Sequence, residues 1–153
     1  MKRLLILAFF IPVLLPAQNL GLGVIIGSPT GLSLKYTLSK QSAFAAHAGW
    51  SFIRDKGIHL TGDYQYLFPM VFETAEGKSV SEITPYIAAG GRFRWKEDEE
   101  TEEKEFHLGF RIGGGAEYFL SRFGIFLEVV PVVNLIPGTD IDLEGGLGFL
   151  FYF

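Results

Sequence analysis

The chain contains no cysteine, which excludes a disulfide scaffold, thiolate metal sites, a cysteine nucleophile and lipid attachment to a leading Cys. Charge is sparse and leans negative: 13 lysines and arginines stand against 17 aspartates and glutamates, a net −4 over 153 residues. That balance leaves no electrostatic footprint for nucleic acid. No stretch reaches 18 uninterrupted apolar residues, so no membrane-spanning helix is expected. A sustained 3.6-residue period is also missing after the first residues. What is present is 48% apolar and 15% aromatic, with 19 glycines. Such a chain is too apolar for a disordered polymer and long enough for one domain.

The first eighteen residues read as a secretory signal peptide. Lys2 and Arg3 form a basic start, Leu4 to Leu15 is an apolar run broken only by Pro12, and Pro16-Ala17-Gln18 leads into polar Asn19. As a helix, twelve residues rise only about 18 Å, against a hydrocarbon core of roughly 30 Å. Leu15 is bulky for the −3 position, so cleavage is expected after residue 17, 18 or 19. The expected division is 1–18 as signal peptide and 19–153 as the mature domain. Loss of Lys2 and Arg3 takes the net charge from −4 to −6.

The mature part alternates. Leu32, Leu34, Tyr36 and Leu38 share one parity while Ser33, Lys35, Thr37 and Ser39 share the other, the period of two of a strand with one apolar face. The same pattern runs through Phe44–Phe52, Ile58–Phe68, Ile87–Trp95, Phe106–Tyr118, Phe123–Pro131 and Leu143–Phe153. With the glycine-rich opening Leu20–Gly27, eight strands are predicted. Spans of roughly 9–11 residues with short turns fit a tilted strand crossing a bilayer.

The connections sort by length. Ser39–Ser42 and Leu120–Arg122 are tight, whereas Arg54–Gly57, Lys96–Glu105 and Ile136–Asp142 are longer and more polar. Short turns on one side and long loops on the other are the habit of outer-membrane barrels. Ser28-Pro29-Thr30 is short for its side and Pro69–Glu82 long for the other. Aromatic residues band by depth. Trp50, Phe52, Phe93, Trp95 and Phe106 fall at the loop ends of their strands. Tyr36, Phe44, Tyr64, Tyr66, Phe68, Tyr118, Phe123, Phe151 and Phe153 fall at the opposite ends, with an aliphatic belt between. Two aromatic girdles suit amphipathic rings at membrane interfaces; a soluble sandwich has no reason to band in this way. The predicted fold is therefore all-β: an eight-stranded antiparallel up-and-down transmembrane β-barrel, preceded by the cleaved signal peptide.

The polar parity predicts the interior. Lys35, Arg92, Arg94 and Arg111 point inward with Asp63, Glu117, Glu128 and Glu144, as do His47, His59 and His107. Eight strands leave an interior just wide enough for side chains to fill, and buried charges must pair. A salt-bridged plug is expected rather than an ion path. The interior network is assigned to Lys35, Asp63, Arg92, Arg111, Glu117 and Glu128. Lys35, Asp63, Arg111 and Glu128 are placed together near mid-barrel, with Glu117 and Glu144 nearer the ends, where water can compensate. Inward Gly90, Gly109, Gly113 and Gly115 make room for the long basic side chains.

The alternation over the whole mature chain resembles the small eight-stranded outer-membrane β-barrels of bacteria, of the OmpA transmembrane-domain and OmpX type. The closing Leu147, Phe149, Phe151 and Phe153 are similar to the C-terminal signal those proteins present to the barrel-assembly machinery. The run Gly27 to Tyr36 also resembles a family of uncharacterised bacterial barrels with no chemistry to transfer. The resemblance implies an outer-membrane location, contact with outer-membrane lipids and lipopolysaccharide, help from periplasmic chaperones during assembly, and no cofactor. Some small barrels modify lipid A, so an acylase or deacylase is the alternative, with a secreted lipid-binding barrel third. Such chemistry needs a Ser–His–acid set near the outer rim. His59 with Thr61 and Ser51 comes nearest, and no His-x-Ser pair occurs. His-Glu-x-x-His and phosphate-loop signatures are absent. The acidic run Lys96–Glu105 lacks the glycine of a calcium loop and reads as a solvated, self-repelling segment. Deleting Phe153 is expected to leave the protein in the periplasm for proteolysis; normal levels of the truncated chain in the outer-membrane fraction would contradict the assembly-signal reading.

Overall fold

The computed structural model describes residues 19–51, 56–69, 72–73, 75–77, 79–80, 82–98, 100–101, 103–136 and 138–153. The expected signal peptide, 1–18, and Phe52 lie outside them. Ten strands follow in order: β1 (Leu20–Ser28), β2 (Gly31–Ser39), β3 (Ser42–Ser51), β4 (Lys56–Leu67), β5 (Phe72–Glu73), β6 (Ser79–Val80), β7 (Ile83–Glu97), β8 (Lys104–Leu120), β9 (Phe123–Ile136) and β10 (Ile141–Tyr152). Eight of them close a barrel in the order β1-β10-β9-β8-β7-β4-β3-β2. Every pairing in it is antiparallel. Closure is made by β1 against β10, from Gly21↔Tyr152 to Ser28↔Gly145. With no free edge in this sheet, backbone N–H and C=O groups are consumed within the wall.

The eight predicted strands are present, but three run longer than their apolar alternation. β7 begins at Ile83, β8 spans 17 residues and β9 continues to Ile136. The ladder outlasts the apolar pattern because polar residues pair too: Lys96↔Glu105 and Glu97↔Lys104 sit directly opposite one another, where unlike charges are favourable. The acidic run is thus only partly loop. Its four outermost residues belong to the wall, and the remaining turn is tied by Asp98 N–H to Glu103 O at 3.0 Å and Glu100 N–H to Asp98 Oδ1 at 2.9 Å.

The long connection between β4 and β7 carries an unpredicted ladder, β5–β6, pairing Phe72↔Val80 and Glu73↔Ser79. Two residues per strand are too few to show a period. Its turn includes Gly77 at φ +79°, where a side chain would be strained.

Parity is as the alternation predicts, and it inverts the usual arrangement of apolar and charged residues. Ile26, Leu32, Ile87, Ile112, Leu127, Val129 and Leu147 are all more than half exposed on the outside. Arg111 and Glu117 have no exposed surface at all. The interior is also not wholly polar. Ala43, Leu67, Tyr86 and Ala88 form one apolar cluster, and Ile25, Phe126 and Leu150 form another against Tyr152. Both lie toward the end where β1 begins and β10 stops, which we call the terminal end; the other is the loop end.

Candidate functional site

The site begins with glycine. Around the barrel, Asp63 is paired with Gly90 and Gly90 with Arg111, so a residue without a side chain separates an acid from a base on the inward face. Arg111 reaches over it, placing Nε 3.0 Å from Asp63 Oδ1; a Cβ on Gly90 would run into Asp63. The device recurs twice. Arg92, Gly109 and Asn134 share a row, and the Arg92 guanidinium donates to Asn134 Oδ1 across the gap. Tyr86, Gly115 and Glu128 share another, and Tyr86 Oη donates to Glu128 Oε2 at 3.0 Å. A Cβ on Gly115 would stand 2.8 Å from that hydroxyl. Of the inward glycines Gly90, Gly109, Gly113 and Gly115, the first, second and fourth thus open windows between strands two apart. Gly113 instead lies against the backbone of Val129 and Val130.

Two charge clusters result, not one. The larger is centred on Arg111. Besides Asp63, its Nη1 donates to Glu144 Oε2 at 3.0 Å and its Nη2 to Glu128 Oε1 at 3.3 Å. Arg92 shares Glu144, with Nη1 donating to Oε1 at 2.7 Å, and reaches Asp142 Oδ2 at 3.1 Å. Asn134 Nδ2 donates to the same Asp142 oxygen at 2.8 Å. Two imidazoles close the cluster: His47 Nε2 lies 3.3 Å from Glu128 Oε1 and His59 Nε2 lies 3.0 Å from Glu144 Oε1.

The smaller cluster is Lys35 with Glu117, whose other oxygen accepts from Tyr152 Oη. Lys35 therefore does not join Arg111 as expected. The link between clusters is Tyr86, which bonds Glu128 and presents its ring 5.1 Å from Lys35 Nζ, a cation–π distance.

A second expectation is also corrected. Position along the strand puts Glu117 and Glu144 near the ends, in reach of water, yet both are buried, Glu117 completely. Barrel strands tilt, so a residue's place along its strand does not give its depth. Sequence reasoning missed Tyr86 and Asn134, although each extends an inward parity already visible in Ala88–Arg92 and in Phe126–Val130. Arg94 and His107 lie toward the loop end, partly exposed, and His107 Nε2 is 3.3 Å from Glu105. The closing residues Leu147, Phe149 and Phe153 face outward; Phe151 packs on Phe123 and Phe153, with ring centroids 5.3 Å apart in each case.

Of the residues nearest a catalytic set, His59 is held against Glu144, Thr61 is buried, and the Ser51 side chain lies outside the described residues. Among the described residues no group of three His, Asp or Glu converges to hold a metal.

No protein-family model and no curated protein matches the sequence. Among solved structures, the chain is similar to the N-terminal β-barrel domain of Pseudomonas aeruginosa OprF. The two are 20% identical with a TM-score of 0.61, over 90% of this chain and 100% of that one. Neisserial surface protein A is also matched, at 12% identity and a TM-score of 0.42, over 88% of this chain and 93% of that one. The OprF domain shares the fold.

Two predictions rest on this geometry. Gly90→Ala is expected to lower unfolding stability in detergent micelles by about 1–3 kcal/mol, the usual cost of overpacking. Gly62→Ala, where an added methyl meets nothing within 4 Å, should change it by less than about 0.5 kcal/mol. Equal effects would remove the window. Arg111→Ala strands three carboxylates, and a loss of about 3–5 kcal/mol is expected. Adding Glu128→Ala should recover only part of it, because Asp63 and Glu144 remain. Glu144→Ala is expected to cost about as much as Arg111→Ala, whereas a double-mutant cycle should couple Lys35 to Glu117 more strongly than to Glu128. Small, equal losses throughout would show water reaching every charge.

Proposed function

We propose that this chain is a non-enzymatic outer-membrane β-barrel with a filled, salt-bridged interior and a structural or surface-interaction role. The observation that carries the proposal is the inversion of the wall: an apolar outer face around fully buried charged side chains. A continuous exposed apolar band is a heavy liability in water and is what a bilayer requires of a strand-built span. Among the described residues no helix is long and apolar enough to cross a membrane. Trp50 and Phe106 toward the loop end, and Phe44, Tyr64 and Phe123 toward the terminal end, are exposed on the outer face, as interface anchors would be. In this reading the terminal end, with the two-residue turns at 40–41 and 121–122, faces the periplasm, and the loop end faces outward. Outer-membrane lipids and lipopolysaccharide then meet the wall. Periplasmic chaperones and the barrel-assembly machinery would handle the chain before it inserts, consistent with an export signal at 1–18.

A filled lumen is supported by the space among Ser33, Lys35, His47, Tyr86 and Glu117, which amounts to about 10 Å³, room for one water at most.

The protein is expected in the outer-membrane fraction, migrating faster on a gel when unboiled than when boiled. Planar-bilayer recordings should show no large, stable conductance. Recovery as a soluble periplasmic protein would overturn the location, and porin-sized channels would overturn the plug.

A further inference from the structure

At the loop end the barrel opens into a cleft of about 310 Å³, the lower end of the range for ligand pockets. The turn between β1 and β2 forms one wall, with Thr30 Oγ1 pinned to Gly27 through both its N–H and its carbonyl, at 2.9 and 2.8 Å. Gly49 on β3 and Gly57 on β4 line it without side chains of their own. His59, Arg94 and Lys96 supply the basic groups, and among the described residues no aspartate or glutamate lines the cleft, in a chain where acids outnumber bases 17 to 13.

Arg94 is the centre of this site. In the barrel register it stands directly between His59 on β4 and His107 on β8. Both imidazoles are anchored by acids of their own, Glu144 and Glu105. Arg92, one inward position below, is spent on Glu144, Asp142 and Asn134. Arg94 makes no hydrogen bond or ion pair with any described residue; the acid it senses, Asp142, is already bonded to Arg92 and Asn134. Lys96, one pair above, also borders Asp98, Glu103 and Glu105 on its other side, which leaves Arg94 the principal free cation of the cleft among the described residues. A guanidinium is a planar fork of donors suited to two oxygens of a tetrahedral oxyanion.

We infer that this cleft is a binding site for a phosphate group carried on a sugar-sized body, held by Arg94 and supported by Lys96 and His59. The same chemistry is offered by the phosphorylated sugar headgroup of a lipid and by a free sugar phosphate, and these sources are separable.

The test uses the refolded barrel in maltoside micelles, which contribute no phosphate. Backbone amide shifts of Gly57, His59, Arg94 and Lys96 are followed by NMR during titration with glucose 6-phosphate and, separately, with micelles doped with lipid A. Saturable shifts confined to the cleft are expected. Arg94→Gln should weaken binding about tenfold, the loss of one charge-assisted fork, while Lys40→Gln at the terminal end should leave it unchanged. Unchanged heat-modifiable migration of Arg94→Gln shows that the barrel still folds. Saturation by lipid A but not by the sugar phosphate assigns the lipid headgroup; saturation by the sugar phosphate assigns a soluble ligand. No saturable shift with either, or equal binding by the wild type and Arg94→Gln, overturns the inference.

Discussion

A guanidinium with no exposed surface sits near the middle of this barrel, and a charge in that position must be answered from the surrounding wall. Arg111 is answered by three carboxylates, Asp63, Glu128 and Glu144, which come from β4, β9 and β10. None is on an adjacent strand in a position to meet it unaided except Glu128 on β9. Asp63 is two strands away and is reached only because Gly90 between them has no side chain. Glu144, also two strands away, is shared with Arg92, so the two arginines are fastened to one acid. The interior is therefore a cross-brace that ties the first half of the chain to the second, on top of the ladder that closes β1 on β10.

The same geometry accounts for the inverted distribution of residues. A closed sheet uses its backbone polar groups internally and leaves only side chains to meet the two environments. Outside, the wall presents Leu, Ile, Val and Phe; inside, charges satisfy one another and the remaining space is taken by Phe126, Leu150, Val130 and Val132. Polar bracing gives the interior its specific partners, and the apolar clusters near the terminal end fill the volume the ions leave. The loop end differs: Arg94 and Lys96 face a cleft and stay partly exposed, so the cationic surface not consumed by bracing is concentrated there.

Much of this was legible in the chain because a period of two is a local signal. Which residues face inward, from Lys35 to Glu144, follows from parity alone, and so do the strand number and the two aromatic bands. Partner choice is not local. Lys35 finds Glu117 82 residues away, and no count from strand ends reveals that meeting, because tilt and stagger decide which rows coincide. The burial of Glu144 is hidden from the sequence for the same reason. The ends of β7 and β8 were missed because charged pairs extend a ladder without extending an apolar pattern, and the β5–β6 hairpin was too short to leave a period. The inward glycines were recognised as spacers, but their role as windows between named pairs required the register.

The central claim is that one parity of the wall meets lipid while the other meets a packed interior that water does not enter. The natural absence of cysteine permits a direct measurement: single cysteines placed in turn from Ile125 to Val132 along β9, with the barrel in lipid vesicles. At each position the rate of modification by a water-soluble thiol reagent is recorded, together with quenching of an attached fluorophore by brominated lipid. Positions 125, 127 and 129 should be quenched by lipid and slow to react, and positions 126, 128 and 130 should be insensitive to both probes. Fast aqueous labelling at the even positions would reveal a water-filled pore, and fast aqueous labelling at the odd ones would mean that this wall does not lie in a membrane.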